Sequence, residues 1–517
     1  MIGELHEECA VAGAYLKRPG ALMPGGASSA AYAMLSAMTN RGDLSTGIAR
    51  YDPSSHHLLD VRRGKGTPGE LFGKPGTSEL ARFLSDHVGI AAIGHNRYAT
   101  SGKNVDPKML QYSAQPLLRE HPQRCREFAF CYNGNLPNDT ELRAELRGSS
   151  SDYHFKTDTD TELIRVFITR FLRTFDQRLG DADYVALFAD LASRFDGAYN
   201  LVLLDANGTL AACRDPLGFR PLCYGETDAL FAVASESSAL RLLGIDEPRH
   251  LAPGELLLID ERGLRVFRFA EAGPLSRCAF ELVYFMKSGS AFDGISVQRA
   301  RERIGAELAR VEPLEMTVDT VIAPVPKTGI PMRTGYVNGL LERGKTFRLT
   351  DALILEGHDR TFIADFGAHS RMARMHVKFD MTPGYLEGKD VVLVDDSVVR
   401  GHTSRALVSY VREYGRARSV HLRVGAPPNR YPCFYGINMP TREELVASTR
   451  DVEAVRRELA VDTLVYIDEA ALLRALRDDH HARDGFCLGC FNGQYPTPAG
   501  QRRIAKMLAN ERPLRVT

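Results

Sequence analysis

The chain has 517 residues, and its 65 lysines plus arginines match its 65 aspartates plus glutamates. That length supports two or more domains with ample core, and the even charge argues against nucleic acid or an anionic membrane surface as a partner. Nine cysteines in so long a chain make no disulfide scaffold, no apolar run reaches bilayer length, and residues 1–8 are acidic, unlike a secretory signal. A cytoplasmic protein is expected, with thiols free for catalysis or metal.

The first segment, MIGELHEECAVAGAYL, sets Cys9 before a small-residue apolar run that predicts a strand. By itself Cys9 reads as an ordinary buried cysteine. Asn40-Arg41-Gly42-Asp43 precedes Ser45-Thr46-Gly47-Ile48, and Gly94-His95-Asn96-Arg97-Tyr98-Ala99-Thr100-Ser101-Gly102 follows an apolar strand. Residues 128–130 lead into Cys131-Tyr132-Asn133-Gly134-Asn135-Leu136, and Thr159-Asp160-Thr161-Glu162 opens a helix that runs through 163–172. Singly these are turn and capping patterns. Gly197-Ala198-Tyr199-Asn200, Arg214-Asp215-Pro216-Leu217-Gly218-Phe219-Arg220-Pro221-Leu222, Ala234-Ser235-Glu236-Ser237 and Pro253-Gly254-Glu255 follow. Glu271-Ala272-Gly273-Pro274 then breaks the strand pattern, so a domain join is expected between Ala270 and Cys278.

In the second half, residues 321–325 predict a strand ending in a tight turn with Lys327 and Thr328. Residues 391–405 read VVLVDDSVVRGHTSR. The β-branched run 391–394 suits a strand buried on both faces of a parallel sheet, and the apolar spacing of 406–414 predicts a helix. The loop between lies at a strand end and a helix start, where free N–H groups and the helix dipole favour a phosphate. Asp395 and Asp396 add hard oxygens suited to Mg²⁺ or sugar hydroxyls. A phosphorylated sugar fits this pattern.

The order of strand, acid pair, hydroxyl- and glycine-bearing loop and helix resembles type I phosphoribosyltransferases. The earlier motifs, taken together and in order, resemble class II, N-terminal-nucleophile glutamine amidotransferases. The likeness runs nearly to Pro496, so the whole chain resembles the amidophosphoribosyltransferase family in its iron–sulfur-containing branch. It implies an α+β and α/β architecture: an αββα glutaminase domain, then a phosphoribosyltransferase domain with a mainly parallel sheet. The implied layout is a propeptide at 1–8, glutaminase at 9–272, transferase at 273–475, and a C-terminal segment at 476–517.

For the glutaminase, the resemblance implies Cys9 as nucleophile once residues 1–8 are removed. A freed α-amine, with an unperturbed pKa of about 7.7–8.0, then serves as base for its own thiol. Asn133 and Gly134 match the oxyanion hole, Arg97 the binder of the glutamine α-carboxylate, and Asp160 the binder of its α-ammonium. Asp43 stands where the family usually has Gln. For the transferase, the resemblance implies Thr328, Asp395 and Asp396 as Mg²⁺ ligands. It makes Lys378, Ser397, Arg400, Gly401, Thr403 and Ser404 binders of 5-phosphoribosyl-1-pyrophosphate. Lys327 replaces a usual acid, and residues 354–359 lack the family's basic residues. A paralogue acting on another phosphosugar is therefore a second reading, and a non-catalytic ribosyl-pyrophosphate or nucleotide sensor a third.

Cys487-Leu488-Gly489-Cys490, with Cys278 and Cys433, offers four thiolates for zinc or a [4Fe–4S] cluster, which spacing does not separate. The resemblance favours [4Fe–4S] in a structural or oxygen-sensing role. Cys125, Cys131, Cys213 and Cys223 read as ordinary buried residues, and His480-His481 as a solvated linker. Inhibition by purine nucleotides and a homo-oligomer, a tetramer, are expected on the same ground.

Overall fold

The strand Ala10–Leu16 shows how the first half is built. Its alternate residues Ala10, Ala12, Ala14 and Leu16 face one apolar layer, and Val11 and Tyr15 face another. Small side chains on both faces let neighbouring layers close in. In this computed structural model the described residues are 9–18, 24–97, 113–149, 153–355, 379–382, 384–439, 441–477 and 485–510.

The strand sits centrally in a seven-stranded antiparallel sheet, between Leu230–Ala234 and Ala91–Arg97. A six-stranded antiparallel sheet packs against it, with Val11, Ile93, Val233, Val202, Ala212 and Leu257 in the shared layer. The helix Ala27–Ala37 covers the outer face of the first sheet. Asp160–Leu172 and Asp181–Ala192 cover that of the second. The result is the four-layer αββα architecture that the resemblance implies.

The second half holds a five-stranded parallel sheet, ordered Arg348–Leu349, Thr320–Pro324, Asp390–Asp395, Ser419–Val424 and Thr463–Tyr466. The apolar run 391–394 is its buried centre, as its β-branched composition predicts. Val297–Arg310 and Gly329–Glu342 pack on one face, and His402–Glu413 and Val452–Leu459 on the other. The first pair cross closely because both contribute glycine. A Cβ on Gly305 would stand 1.8 Å from the Met332 carbonyl oxygen, and one on Gly335 1.7 Å from that of Glu302.

The helix His402–Glu413 begins four residues before the predicted 406. Gly401, at φ +75°, supplies the left-handed turn that starts it, so Thr403 and Ser404 fall in its first turn. The last helix, Pro498–Asn510, returns to the first half. Ala499 N–H donates to Asp196 Oδ2 at 2.8 Å, and Arg503 pairs with Asp139. Among the described residues no helix is long and apolar enough to cross a membrane.

Candidate functional site

Two sites emerge, one at the strand ends of each half. Cys9 directly precedes its strand and is buried. The pairing of Ala10 with Asn96 brings Arg97, the last residue of the adjacent strand, alongside. From the facing sheet, the strand Phe128–Asn135 delivers Asn133 and Gly134, and Asp160 opens its helix nearby. Cys9, Arg97, Tyr132, Gly134 and Asp160 line one cavity of about 330 Å³.

The unused polar atoms here point to a ligand. Arg97 Nη1 and Asn133 Nδ2 are buried donors without a partner among the described residues, the kind of exception that calls for an explanation. Burial lowers the Arg97 pKa, with Cys9 and Asp160 acting the other way. Burial raises that of Asp160, opposed by hydrogen bonds from the Tyr132 hydroxyl at 2.9 Å and Leu136 N–H at 3.1 Å. Gly134, at φ +155°, admits no side chain, because a Cβ would lie 1.9 Å from the Ala198 carbonyl oxygen. Asp43 is half-buried in the turn before Ser45–Tyr51.

Two contributors were not legible as site residues in the sequence. Arg41, fully buried, donates through Nε to the Cys9 carbonyl at 3.4 Å, and its Nη1 reaches Glu236 at 3.1 Å and Glu281 at 2.9 Å. The Arg-Gly motif marked it only as turn chemistry. The second is the segment 433–437 from the other half, of which Cys433, Phe434, Gly436 and Ile437 line the cavity along with Arg503. Asn135 Nδ2 donates to the Phe434 carbonyl at 2.8 Å, and Arg220 Nη2 to that of Tyr435 at 2.6 Å.

The second site lies at the end of Asp390–Asp395. Asp396 accepts hydrogen bonds from Thr328 Oγ1 and from Ser397 Oγ, the latter at 2.6 Å, and its N–H donates to Asp395 Oδ1 at 2.9 Å. Burial raises the Asp396 pKa against those hydroxyls and the nearby Arg301. Ser404 is buried, and Thr403 Oγ1 is a buried hydroxyl without a partner among the described residues. Arg400 Nε is engaged by Glu444 Oε2 at 2.8 Å. Lys327 is exposed beside Thr328. Lys378 and residues 356–359 lie outside the described residues, as do residues 1–8 and His480-His481.

The four singled-out cysteines are drawn together from three chain segments. Cys278 and Cys487 are partners in a short parallel ladder. The N–H groups of Arg430 and Tyr431 bind the Cys490 carbonyl, and Tyr435 N–H donates to Cys433 Sγ at 3.3 Å. Burial pushes the Cys278 thiol up to about 11 and raises Cys487 and Cys490 further. Cys490 lies within electrostatic reach of the other three thiols. Among the described residues no group of three or more His, Cys, Asp or Glu side chains stands arranged to hold a metal ion. Cys125, Cys131, Cys213 and Cys223 are buried core residues.

A family model described as a glutamine amidotransferase domain matches residues 103–242. The amidophosphoribosyltransferase of Archaeoglobus fulgidus is 35% identical over 467 residues, covering 90% of this chain and 94% of that protein. A solved structure of the glutamine phosphoribosylpyrophosphate amidotransferase from B. subtilis, complexed with ADP and GMP, has a TM-score of 0.77 at 33% identity. It covers 95% of this chain and 98% of that one. A second solved structure, of the allosteric regulatory enzyme of purine biosynthesis, has a TM-score of 0.79 at 33% identity, covering 95% and 96%.

Proposed function

The chain belongs to the amidophosphoribosyltransferase family, and from that premise we propose the reaction it catalyses. Glutamine is hydrolysed to ammonia, which displaces pyrophosphate from C1 of 5-phosphoribosyl-1-pyrophosphate to give 5-phosphoribosylamine, the first step of purine biosynthesis. The observation that carries this reading is the Cys9 cavity, which Arg97 lines with a buried donor left unused and whose wall the transferase half partly supplies.

After removal of residues 1–8, the Cys9 α-amine takes the proton of its own thiol. The thiolate attacks the glutamine side-chain amide, ammonia leaves with that proton, and water cleaves the thioester to glutamate. Asn133 Nδ2 and the Gly134 N–H stabilise the oxyanion, where losing one donor typically costs about 3–4 kcal/mol. The Arg97 fork takes the α-carboxylate, and Asp160 takes the α-ammonium.

In the transferase, Ser397, Arg400, Gly401, Thr403 and Ser404, with Lys378, hold the phosphosugar. The buried Thr403 hydroxyl and the helix start at Gly401 support that assignment. Thr328, Asp395 and Asp396 form an all-oxygen donor set suited to Mg²⁺, which when bound would neutralise the leaving pyrophosphate. Cys278, Cys433, Cys487 and Cys490 would hold a [4Fe–4S] cluster, supplying cross-links among three segments rather than chemistry. The pairing of Cys278 with Cys487 supports the fit, although the four thiols do not stand as a preformed metal site among the described residues. Purine nucleotides act as inhibitors, a reading supported by the ADP and GMP complexed with the B. subtilis protein, and the assembly is a homotetramer in the cytoplasm.

The test compares glutamine-dependent with ammonia-dependent formation of 5-phosphoribosylamine. Cys9→Ala loses the first and keeps the second; equal loss of both would remove the two-site scheme. The exposed Lys327, at the turn where relatives usually carry an acid, favours the second reading, a different phosphosugar. Competing related phosphosugars against ribosyl pyrophosphate decides between them.

A further inference from the structure

Along the strand Phe128–Asn135, the side chains of Phe128, Phe130 and Tyr132 face the helical layer, while Ala129 and Cys131 face the neighbouring sheet. Phenylalanine at 132 would continue this row equally well, so packing gives no account of the Tyr132 hydroxyl. Tyr132 is 3% exposed and lines the Cys9 cavity. A phenol so placed needs a partner, and its hydroxyl donates to Asp160 Oδ2 at 2.9 Å. The Leu136 N–H donates to the same oxygen at 3.1 Å. Neither donor uses Oδ1, and Asp160 itself lines the cavity.

The rest of Tyr132 is fixed from two other segments. The ladder with Leu117–Arg119 reaches only Phe130. Beyond it the Gln115 side chain takes the place of a strand, and the Tyr132 N–H donates to Gln115 Oε1 at 2.7 Å. From the facing sheet, His95 Nε2 lies 3.0 Å from the Tyr132 carbonyl. That carbonyl has no proton to give, so the buried His95 carries one on Nε2 and donates it. Tyr132 directly precedes Asn133 and Gly134. One residue therefore ties the proposed oxyanion donors to the carboxylate proposed for the α-ammonium.

We infer that Tyr132 is a positioning residue, whose hydroxyl with the Leu136 N–H pins one oxygen of Asp160 and leaves the other to receive the α-ammonium of glutamine. The inference deepens the proposed glutamine hydrolysis and rests on it. Hydrogen bonds to an ionised carboxylate are the stronger kind, so the phenol favours the charged form that an ammonium needs. The Ala198 carbonyl lies 3.3 Å from the same hydroxyl. One proton serves one acceptor, so when Asp160 is protonated the hydroxyl can turn to Ala198, and the ammonium loses its seat. The other titratable or charged groups around Asp160 are Arg97 from its strand, Cys9, Asp139 from the helix Asp139–Ser149, Asp158 in the wall and Arg503 from the last helix. A change confined to the hydroxyl leaves all of them in place.

Glutaramate is glutamine without its α-amino group, so it keeps the side-chain amide and the carboxylate proposed for Arg97. The experiment uses mature holoenzyme and measures the KM for glutamine from ammonia release, with the Ki of glutaramate as a competitor in the same assay. In Tyr132→Phe the KM for glutamine rises about tenfold or more, the worth of a hydrogen bond to a charged group, and the Ki of glutaramate keeps its wild-type value. In wild type, lowering the pH raises the KM for glutamine and spares glutaramate; in the variant that rise begins at higher pH. Neither constant depends on how much of the variant folds, so a poorly folding preparation still decides. Both constants rising together would reduce Tyr132 to a shaper of the pocket and overturn the inference, as would an unchanged KM for glutamine or coincident pH profiles. A wild type that releases no ammonia from glutamine would instead overturn the underlying reaction.

Discussion

The side-chain amide of Asn135 donates to the backbone carbonyl of Phe434 at 2.8 Å, bridging residues 299 positions apart in the chain. It ties the strand that carries Asn133 and Gly134 to the loop that carries Cys433. The approach is tight, since a Cβ on Gly436 would stand 3.3 Å from the Gly134 carbonyl carbon and oxygen. Asn135→Ala removes a hydrogen bond worth about 1 kcal/mol and frees the loop from the oxyanion strand. The expected result is a higher KM for glutamine with ammonia-dependent synthesis unchanged, read from parallel steady-state assays.

Asp395→Asn with Asp396→Asn removes both charges of the acid pair while keeping its shape. Formation of 5-phosphoribosylamine is expected to vanish from either nitrogen source, and basal glutamine hydrolysis to persist. Loss of hydrolysis as well would mean that the pair supports the fold rather than the phosphosugar.

Gly305 is a stability test away from both sites. A methyl group there meets the Met332 carbonyl oxygen at 1.8 Å, so the two helices must move apart. Gly305→Ala is expected to destabilise the transferase half by about 1–3 kcal/mol. A urea titration followed by circular dichroism would show an earlier midpoint.

Acid sensitivity is expected at Asp260, in the hairpin between Glu255–Asp260 and Gly263–Arg268. Burial alone would raise its pKa, but Arg262 and Arg265 bind both carboxylate oxygens and hold it at about 2, below the ordinary 3.8. A depressed carboxylate pKa stabilises the fold above the unfolded value and loses that contribution as pH falls toward the folded one. Asp260→Asn should therefore be less stable than wild type at pH 7. The gap should close as pH falls through about 4 to about 2, measured by denaturant midpoints at each pH.

Cys433→Ser tests the proposed cluster and the cavity wall together. Iron and acid-labile sulfide per chain are expected to fall in anaerobically purified protein. Glutamine use should fall more than ammonia use, because residue 433 borders the Cys9 cavity. Full iron content in this variant would exclude Cys433 as a ligand.

Local pattern revealed the strands Ala10–Leu16 and Asp390–Asp395, because each is dictated by its own residues and their burial on two faces. The helix after Gly401 was legible later than it begins, since the hydroxyls of Thr403 and Ser404 favour caps and turns over helix interiors. Cys9, Arg97, Asn133, Gly134 and Asp160 were legible as a set only through resemblance, because three separate strands and a helix bring them together. Arg41 and Glu281 were not legible as partners. Their ion pair spans 240 positions, and neither neighbourhood shows a charge about to be buried. Longer separations, of 364 and 303 positions, hid the docking of Pro498–Asn510 on Asp139 and Asp196.

That docking bears on how the Cys9 cavity is closed. Phe434 and Arg503 both belong to its wall, although the thiol itself stands just before the first strand of the other half. A glutaminase half standing alone would keep the thiol and lose this part of the enclosure, so the pocket is completed only by residues of the second half.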